Sequence, residues 1–260
     1  MICTTEGIVL YSTVVGESDI CMQVLTEKNG IIDIIAKGLK KSARRSHVAA
    51  EVGVLSQIVY SRKSPDKIAI AKEINVIDAH NSVRDTIRKI MYLNFMTEII
   101  RKTTPKSNPD DFIFKMTKAA LTQLETAGNE EHLALFFVIH LLRCHGILPQ
   151  FDTCVSCGKN HDIEYHFSVK ERGVICPTCA KIPLGDYLSV PFNSRRFVGE
   201  SLRNKFSTCD LSTINRNDAL NLLYCILIFI ENYYNETVKS KSFIFSDDLI
   251  NIDSCIDSNC

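Results

Sequence analysis

Apolar and polar positions alternate in short runs through the first eighty residues of the chain. Residues 8–15 and 20–26 are rich in Ile, Val, Leu, Tyr and Thr, and the turn cluster Gly16-Glu17-Ser18-Asp19 separates them. Such side chains fit a pleated, half-buried surface, so both runs are predicted strands. A third run, 31–37, follows Asn29-Gly30, a dipeptide suited to the positive φ angles of a type I′ hairpin. Runs 54–60 and 68–77, joined by a polar loop holding Pro65, make five strands. Five strands are too few for a sandwich but enough for a small, partly open Greek-key barrel of the OB type. An SH3-like barrel fits the same pattern.

Near residue 80 the period changes. Val83, Ile87, Met91, Phe95 and Ile99 recur at steps of four, the stripe of an amphipathic helix that Pro105 ends. Asn108 suits an N-cap and Pro109 the first helical position, with Asp110 and Asp111 at the positive helix start. That second helix should reach about Thr126. A third covers 130–144 and stops near Gly146 and Pro149. Further on, a helix is expected around 193–205 and a strongly apolar one over 212–236. The longest apolar run, 219–230, is too short to cross a bilayer and contains Asn221, so it reads as a buried helix.

Between the third and fourth helices lie Cys154-Val-Ser-Cys157 and Cys176-Pro-Thr-Cys179, with eighteen residues between the pairs. Two C-x2-C knuckles at that separation are the pattern of a tetrahedral zinc site with four thiolate ligands. A two-residue gap lets both sulfurs of a knuckle turn toward one ion. Four thiolates fill every position, which argues for a structural ion and against a catalytic one. His140, His145, His161 and His166 flank the segment, and we read them as packing or surface residues. The other seven cysteines are scattered and read as reduced thiols of a cytosolic protein.

Charge alters the picture locally only. Thirty basic and thirty acidic residues cancel, so no global field points to nucleic acid. Yet Lys37, Lys40, Lys41, Arg44 and Arg45 fall within nine residues, with no acid between Ile34 and Ala50. Gly38, Ser42, Ala43 and Ser46 suggest a flexible loop leaving the third strand. An isolated basic run is usually just a solvated loop. Beside an OB-like barrel, the same five cations are candidate phosphate ligands, because such barrels often bind single strands. Stacking platforms look scarce, since Tyr11 and Tyr60 are the tyrosines before residue 80.

Nothing points to catalysis: there is no phosphate-cradling G-x-x-x-x-G-K-[ST] loop, no G-x-G-x-x-G, and no H-x-E to accompany a deaminase knuckle. Leu133, Phe136, Phe137, His140, Leu141 and Cys144 give the third helix a broad apolar face. Core packing is the default for it, and a groove for a partner's peptide is the alternative.

The expected class is α+β: an N-terminal OB-fold β-barrel followed by an α-helical domain with an inserted four-cysteine zinc ribbon. The expected segments are 1–80, a DNA-binding OB domain; 81–150, the first part of the helical domain; 151–182, the ribbon; 183–240, the second helical part; and 241–260, an acidic tail.

Several pieces together resemble the bacterial RecO recombinational repair family. They are Glu6-Gly7-Ile8-Val9-Leu10, Gly16-Glu17-Ser18-Asp19, Leu25-Thr26, Gly30 and Ala36-Lys37-Gly38 at the start. In the middle are Gly146, Pro149, Phe151-Asp152 and Cys154-Val155-Ser156-Cys157-Gly158, and near the end Val238-Lys239-Ser240-Lys241. The resemblance implies an OB fold, a helical domain and, in many members, a four-cysteine zinc site. It implies binding of single- and double-stranded DNA, strand annealing, association with RecR, and help to RecA in loading on coated DNA. It also implies contact with the acidic tail of single-strand DNA-binding protein, with Phe136, Phe137, Leu141 and Arg143 as candidates for its pocket. A cytoplasmic, nucleoid-associated location follows from the same likeness. An RNA-binding OB protein with a zinc ribbon, and a pure interaction scaffold, are the competing readings.

Overall fold

In the computed structural model the described residues are 2–42, 46–64, 67–180, 188–204 and 213–245. They fall into two compact units, Met1–Gly128 and Asn129–Cys260.

The first unit is built on a closed barrel with strand order β1-β2-β3-β5-β4. Its strands are β1 (Ile2–Val15), β2 (Asp19–Thr26), β3 (Gly30–Ala36), β4 (Leu55–Ser61) and β5 (Ala69–Asp78). β1 starts six residues earlier than its apolar run suggests. Ile2 through Glu6 pair with Ser61 through Gln57 of β4, and this pairing closes the cylinder. β3 and β5 meet in parallel, the single parallel contact of the barrel. Val9, Met22, Val24, Ile32, Ile34 and Ile58 fill the interior. Each such side chain contributes about 1.5–3 kcal/mol when fully buried.

The β2–β3 connection is a three-residue loop rather than the expected type I′ turn. Gly30 holds φ +64°, whereas Asn29 is not among the positive-φ residues. Thr26 takes up the slack: its hydroxyl donates to the Gly30 carbonyl at 2.8 Å and accepts from the Asn29 N–H at 3.1 Å. A side chain at position 30 would also meet the Asn108 backbone at 2.4 Å.

Helices α1 (Ile87–Thr103) and α2 (Asp111–Thr126) belong to the same unit as the barrel. The α2 N-cap is Asp110, two residues later than Asn108. Its carboxylate accepts from the N–H groups of Phe112 and Ile113 at 2.9 and 3.1 Å. Asn108 cannot begin the helix because the chain just before it is committed to β3, with the Ser107 N–H donating to Ile31.

The second unit contains α3 (Glu130–Cys144), α4 (Phe192–Arg203), α5 (Arg216–Tyr234) and the short α6 (Lys241–Ile244). A small sheet, β6 (Tyr165–Ser168), β7 (Gly173–Ile175) and β8 (Leu188–Val190), accompanies the cysteine segment in the order β7-β6-β8. Every residue of α3 from Glu130 to Leu142 is buried. It is a central core helix, covered beyond the broad apolar face that its sequence shows. The apolar run of α5 is likewise buried, and no helix among the described residues is long and apolar enough to cross a membrane.

Within this unit His140 makes a pH-sensitive contact. Its Nε2–H donates to the Ser201 carbonyl at 2.9 Å, and the ring stacks on Phe136 at 4.3 Å. Burial holds its pKa below the usual 6.5, with Arg143 pushing the same way against the Ser201 bond. A lowered folded pKa favours the neutral ring, so the stabilisation is complete above about pH 6.5 and is lost as pH falls below it. Urea midpoints should therefore drop between pH 7.5 and 5 more in the parent than in His140→Gln.

Candidate metal centre and nucleic-acid interface

The two cysteine pairs converge. Cys154 and Cys157 sit on a tight turn in which the Gly158 N–H, at φ +70°, donates to the Cys154 carbonyl at 2.8 Å. A second turn after β7 carries Cys176 and Cys179, with the Cys179 N–H donating to the Cys176 carbonyl at 2.9 Å. The β6–β7 hairpin folds one turn onto the other, and Val155 and Val174 bond across the join. All four sulfurs lie within 4.8 Å of one another, and the group could hold a metal ion.

Electrostatics favours a cation among them. Burial pushes the Cys154 thiol up, but the Cys176, Cys157 and Ser156 backbone donors outweigh it and bring it down to about 6. Cys179 is pushed up to about 12, chiefly by hydrogen bonds with the Cys176 and Cys157 sulfurs. One thiolate forms readily, and hydrogen bonds to the neighbouring sulfurs, with a smaller part from the Cys154 charge, hold Cys179 protonated. A bound cation favours the thiolate form instead. None of the flanking histidines joins this group among the described residues.

Arg195 of α4 holds the cysteine turn in place, and sequence reasoning missed it. Its side chain is 2% exposed, with the guanidinium 3.8 Å over the Tyr165 ring. It donates to the carbonyls of Asp152, His161 and Ile163 and to the Asn160 side chain. In Ser194-Arg195-Arg196 it reads as a surface helix cation, and no local pattern marks it as buried. A lysine cannot reproduce the planar fork. Arg195→Lys and Arg195→Ala should each lower this unit's stability by on the order of 3 kcal/mol, read from chemical denaturation.

A second group, Asp78, His80 and Glu125, brings possible ligand atoms equally close. There the buried imidazole Nδ1 lies 3.3 Å from Glu125, within hydrogen-bonding reach, and 3.5 Å from Asp78.

The described part of the basic segment, residues 37–42, is anchored to the barrel. Leu39 is buried in the barrel core, so the short turn Leu39–Lys41 is anchored from inside. The Gly38 N–H donates to the Asp19 carboxylate at 2.8 Å, and the Lys40 N–H donates to the Ser18 carbonyl at 3.0 Å. These bonds tie the segment to the β1–β2 turn. Lys37, Lys40 and Lys41 are exposed, while Arg44 and Arg45 lie outside the described residues. Lys41 pairs with Glu17 at 3.1 Å. Both side chains are largely solvated, so that pair is worth about 0–1 kcal/mol and yields easily to a phosphate.

Of the expected peptide pocket, Phe136, Phe137 and Leu141 are buried in the core of the second unit. Arg143 reaches the surface and donates to the Leu202 carbonyl at 2.8 Å. Tyr60 is buried, whereas Tyr11 is open on the barrel's outer surface.

Two family models match the chain: recombination protein O N terminal over residues 1–80, and recombination protein O C terminal over 84–242. Among similar proteins is the DNA repair protein RecO of Bacillus pumilus, 28% identical over 94% of this chain and 94% of its own. Those of Bacillus velezensis and Bacillus subtilis are 23% and 24% identical. The first covers 100% of this chain and 99% of its own length, and the second 94% of each.

Proposed function

Because the chain belongs to the recombination protein O family of DNA repair proteins, we propose that it is a non-catalytic mediator that anneals complementary single strands. With RecR it would help RecA load onto DNA coated by single-strand DNA-binding protein. The observation that carries this reading is the anchored basic turn. Leu39 is inside the barrel, and Lys37, Lys40 and Lys41 are outside it beside the β1–β2 turn. OB folds commonly take oligonucleotides near that turn. Two strands repel through their phosphates, and a row of cations that neutralises both lowers the barrier to pairing without covalent chemistry.

Zinc is the ion we assign to the four-cysteine group. Zinc–thiolate bonds of about 2.3 Å in a tetrahedron separate the sulfurs by about 3.8 Å. The Cys157 and Cys176 sulfurs stand 3.8 Å apart. The ion would supply a structural cross-link, leaving no open position for substrate.

For the acidic tail of single-strand DNA-binding protein, Arg143 is the accessible member of the proposed pocket, and Phe136, Phe137 and Leu141 need the packing around them to part.

The test is annealing of complementary oligonucleotides, with and without single-strand DNA-binding protein, alongside elemental analysis for zinc. Faster annealing that survives the coating protein is expected. Preference for structured RNA would favour an RNA-binding role, and failure to bind any polynucleotide at low salt would leave an interaction scaffold.

A further inference from the structure

The outer surface of strands β1, β2 and β3 carries an aromatic–cation pair that the basic loop does not account for. A bulge between Val9 and Tyr11 resets the alternation of β1. Val9 and Leu10 are both buried, and Tyr11 then emerges outward, 42% exposed. Register places Tyr11 opposite Gln23 of β2, and Gln23 opposite Asp33 of β3. The next outward row is Thr13, Cys21 and Ile35, and beyond it Val15 and Asp19 border the Gly38 anchor. One open strip of sheet therefore runs from Tyr11 to the lysine turn.

The last turn of α1 lays Arg101 on this strip. Its guanidinium sits 4.2 Å from the Tyr11 ring centre, and its Nε–H donates to the Gln23 side chain at 2.7 Å. The pair is thus held in place before any ligand arrives. Asp33, the acid in the same row, is neutralised by Lys106 at 2.7 Å. An exposed ring stacked with a guanidinium, with the acid of its row paired to a lysine, offers a flat, electron-rich and cationic surface, the kind on which nucleobases stack.

We propose that Tyr11 and Arg101 form a stacking platform for one base of a single strand whose phosphates follow the strip to Lys37, Lys40 and Lys41. This rests on the polynucleotide-binding reading above and adds a contact made to a base rather than to the backbone. A stacked base is sequence-tolerant, so it raises affinity for unpaired strands over duplex without selecting a sequence.

The test compares the full-length protein, Tyr11→Phe and Tyr11→Ala on a single-stranded oligonucleotide and on an abasic strand of equal charge, each over a salt series. The platform predicts that Tyr11→Ala weakens binding to the base-bearing strand by about five- to a hundred-fold, the range of one lost stack. Tyr11→Phe should retain affinity, the salt slope should stay unchanged, and parent and Tyr11→Ala should bind the abasic strand equally. Equal binding of the base-bearing strand by parent and Tyr11→Ala overturns the platform, as does an equal loss on the abasic strand, which would mark Tyr11 as merely structural. Neither result touches the lysine turn. If instead the parent binds neither strand at low salt, the underlying polynucleotide reading fails as well.

Discussion

Serine in place of Cys154 or Cys176 should remove on the order of 5 kcal/mol from the Asn129–Cys260 unit and leave the barrel unit folded. Structural zinc contributes about 10–16 kcal/mol of apparent binding energy in small finger peptides, where it is almost the whole of the folding energy. Here α3 and α5 supply an independent core, so the loss should be smaller. Cys154 and Cys176 are the buried members of the group, and the Cys176 N–H donates to the Cys154 sulfur at 3.3 Å. Changing either one would open the ion's shell, and changing Cys154 would also replace the sulfur that accepts the contact between the two turns. Thermal denaturation should show the helical unit melting early, with the same result after chelation of the parent. DNA affinity of the protein that stays folded should change by less than about threefold. A well-folded cysteine variant that has lost DNA binding would mean that the cysteine turns themselves touch the strand. Unchanged melting would rule out the metal staple.

Alanine at Lys40, Lys41, Arg44 and Arg45 together should weaken single-strand binding by about a hundred- to a thousand-fold at 0.1 M salt. Each phosphate contact on a single strand contributes a slope of about −0.7 in log affinity against log salt. Five contacts make roughly −3.5, and removing four leaves roughly −0.7. The fold should survive, because Leu39 and the Gly38–Asp19 bond anchor the turn while Lys40 and Lys41 face solvent. The Lys41–Glu17 pair is too solvated to matter for stability. Circular dichroism checks the fold, and fluorescence anisotropy over a salt series reads the affinity. An unaltered affinity in the quadruple variant would contradict the assignment of these cations to phosphates.

Much of the site chemistry could be read from local spacing. The C-x2-C pairs announce a group able to hold a metal because each turn forms from four consecutive residues, whatever the rest of the chain does. The basic run was equally visible, but its anchoring was not: Leu39 reads as one apolar residue among lysines until the barrel closes around it. Arg195 and Arg101 were missed for a related reason. Both look like ordinary helix-surface cations, and only packing buries one beneath the cysteine turn and lays the other on Tyr11. The α2 start shifted from Asn108 to Asp110 because strand pairing at Ile31 competes for the backbone just before Asn108. The short strands β6, β7 and β8 have too few residues each for a period to register.

Sequence alone determined the strand-then-helix order, the four-sulfur cluster and the position of the cationic turn, since each depends on neighbours within a few residues. Tertiary structure alone decided that β1 reaches back to seal the cylinder, that α3 is covered on every face, and that Tyr11 turns outward past a bulge to meet Arg101. Those outcomes depend on pairing and burial between residues tens of positions apart, where competition among alternative contacts, rather than local preference, selects the arrangement.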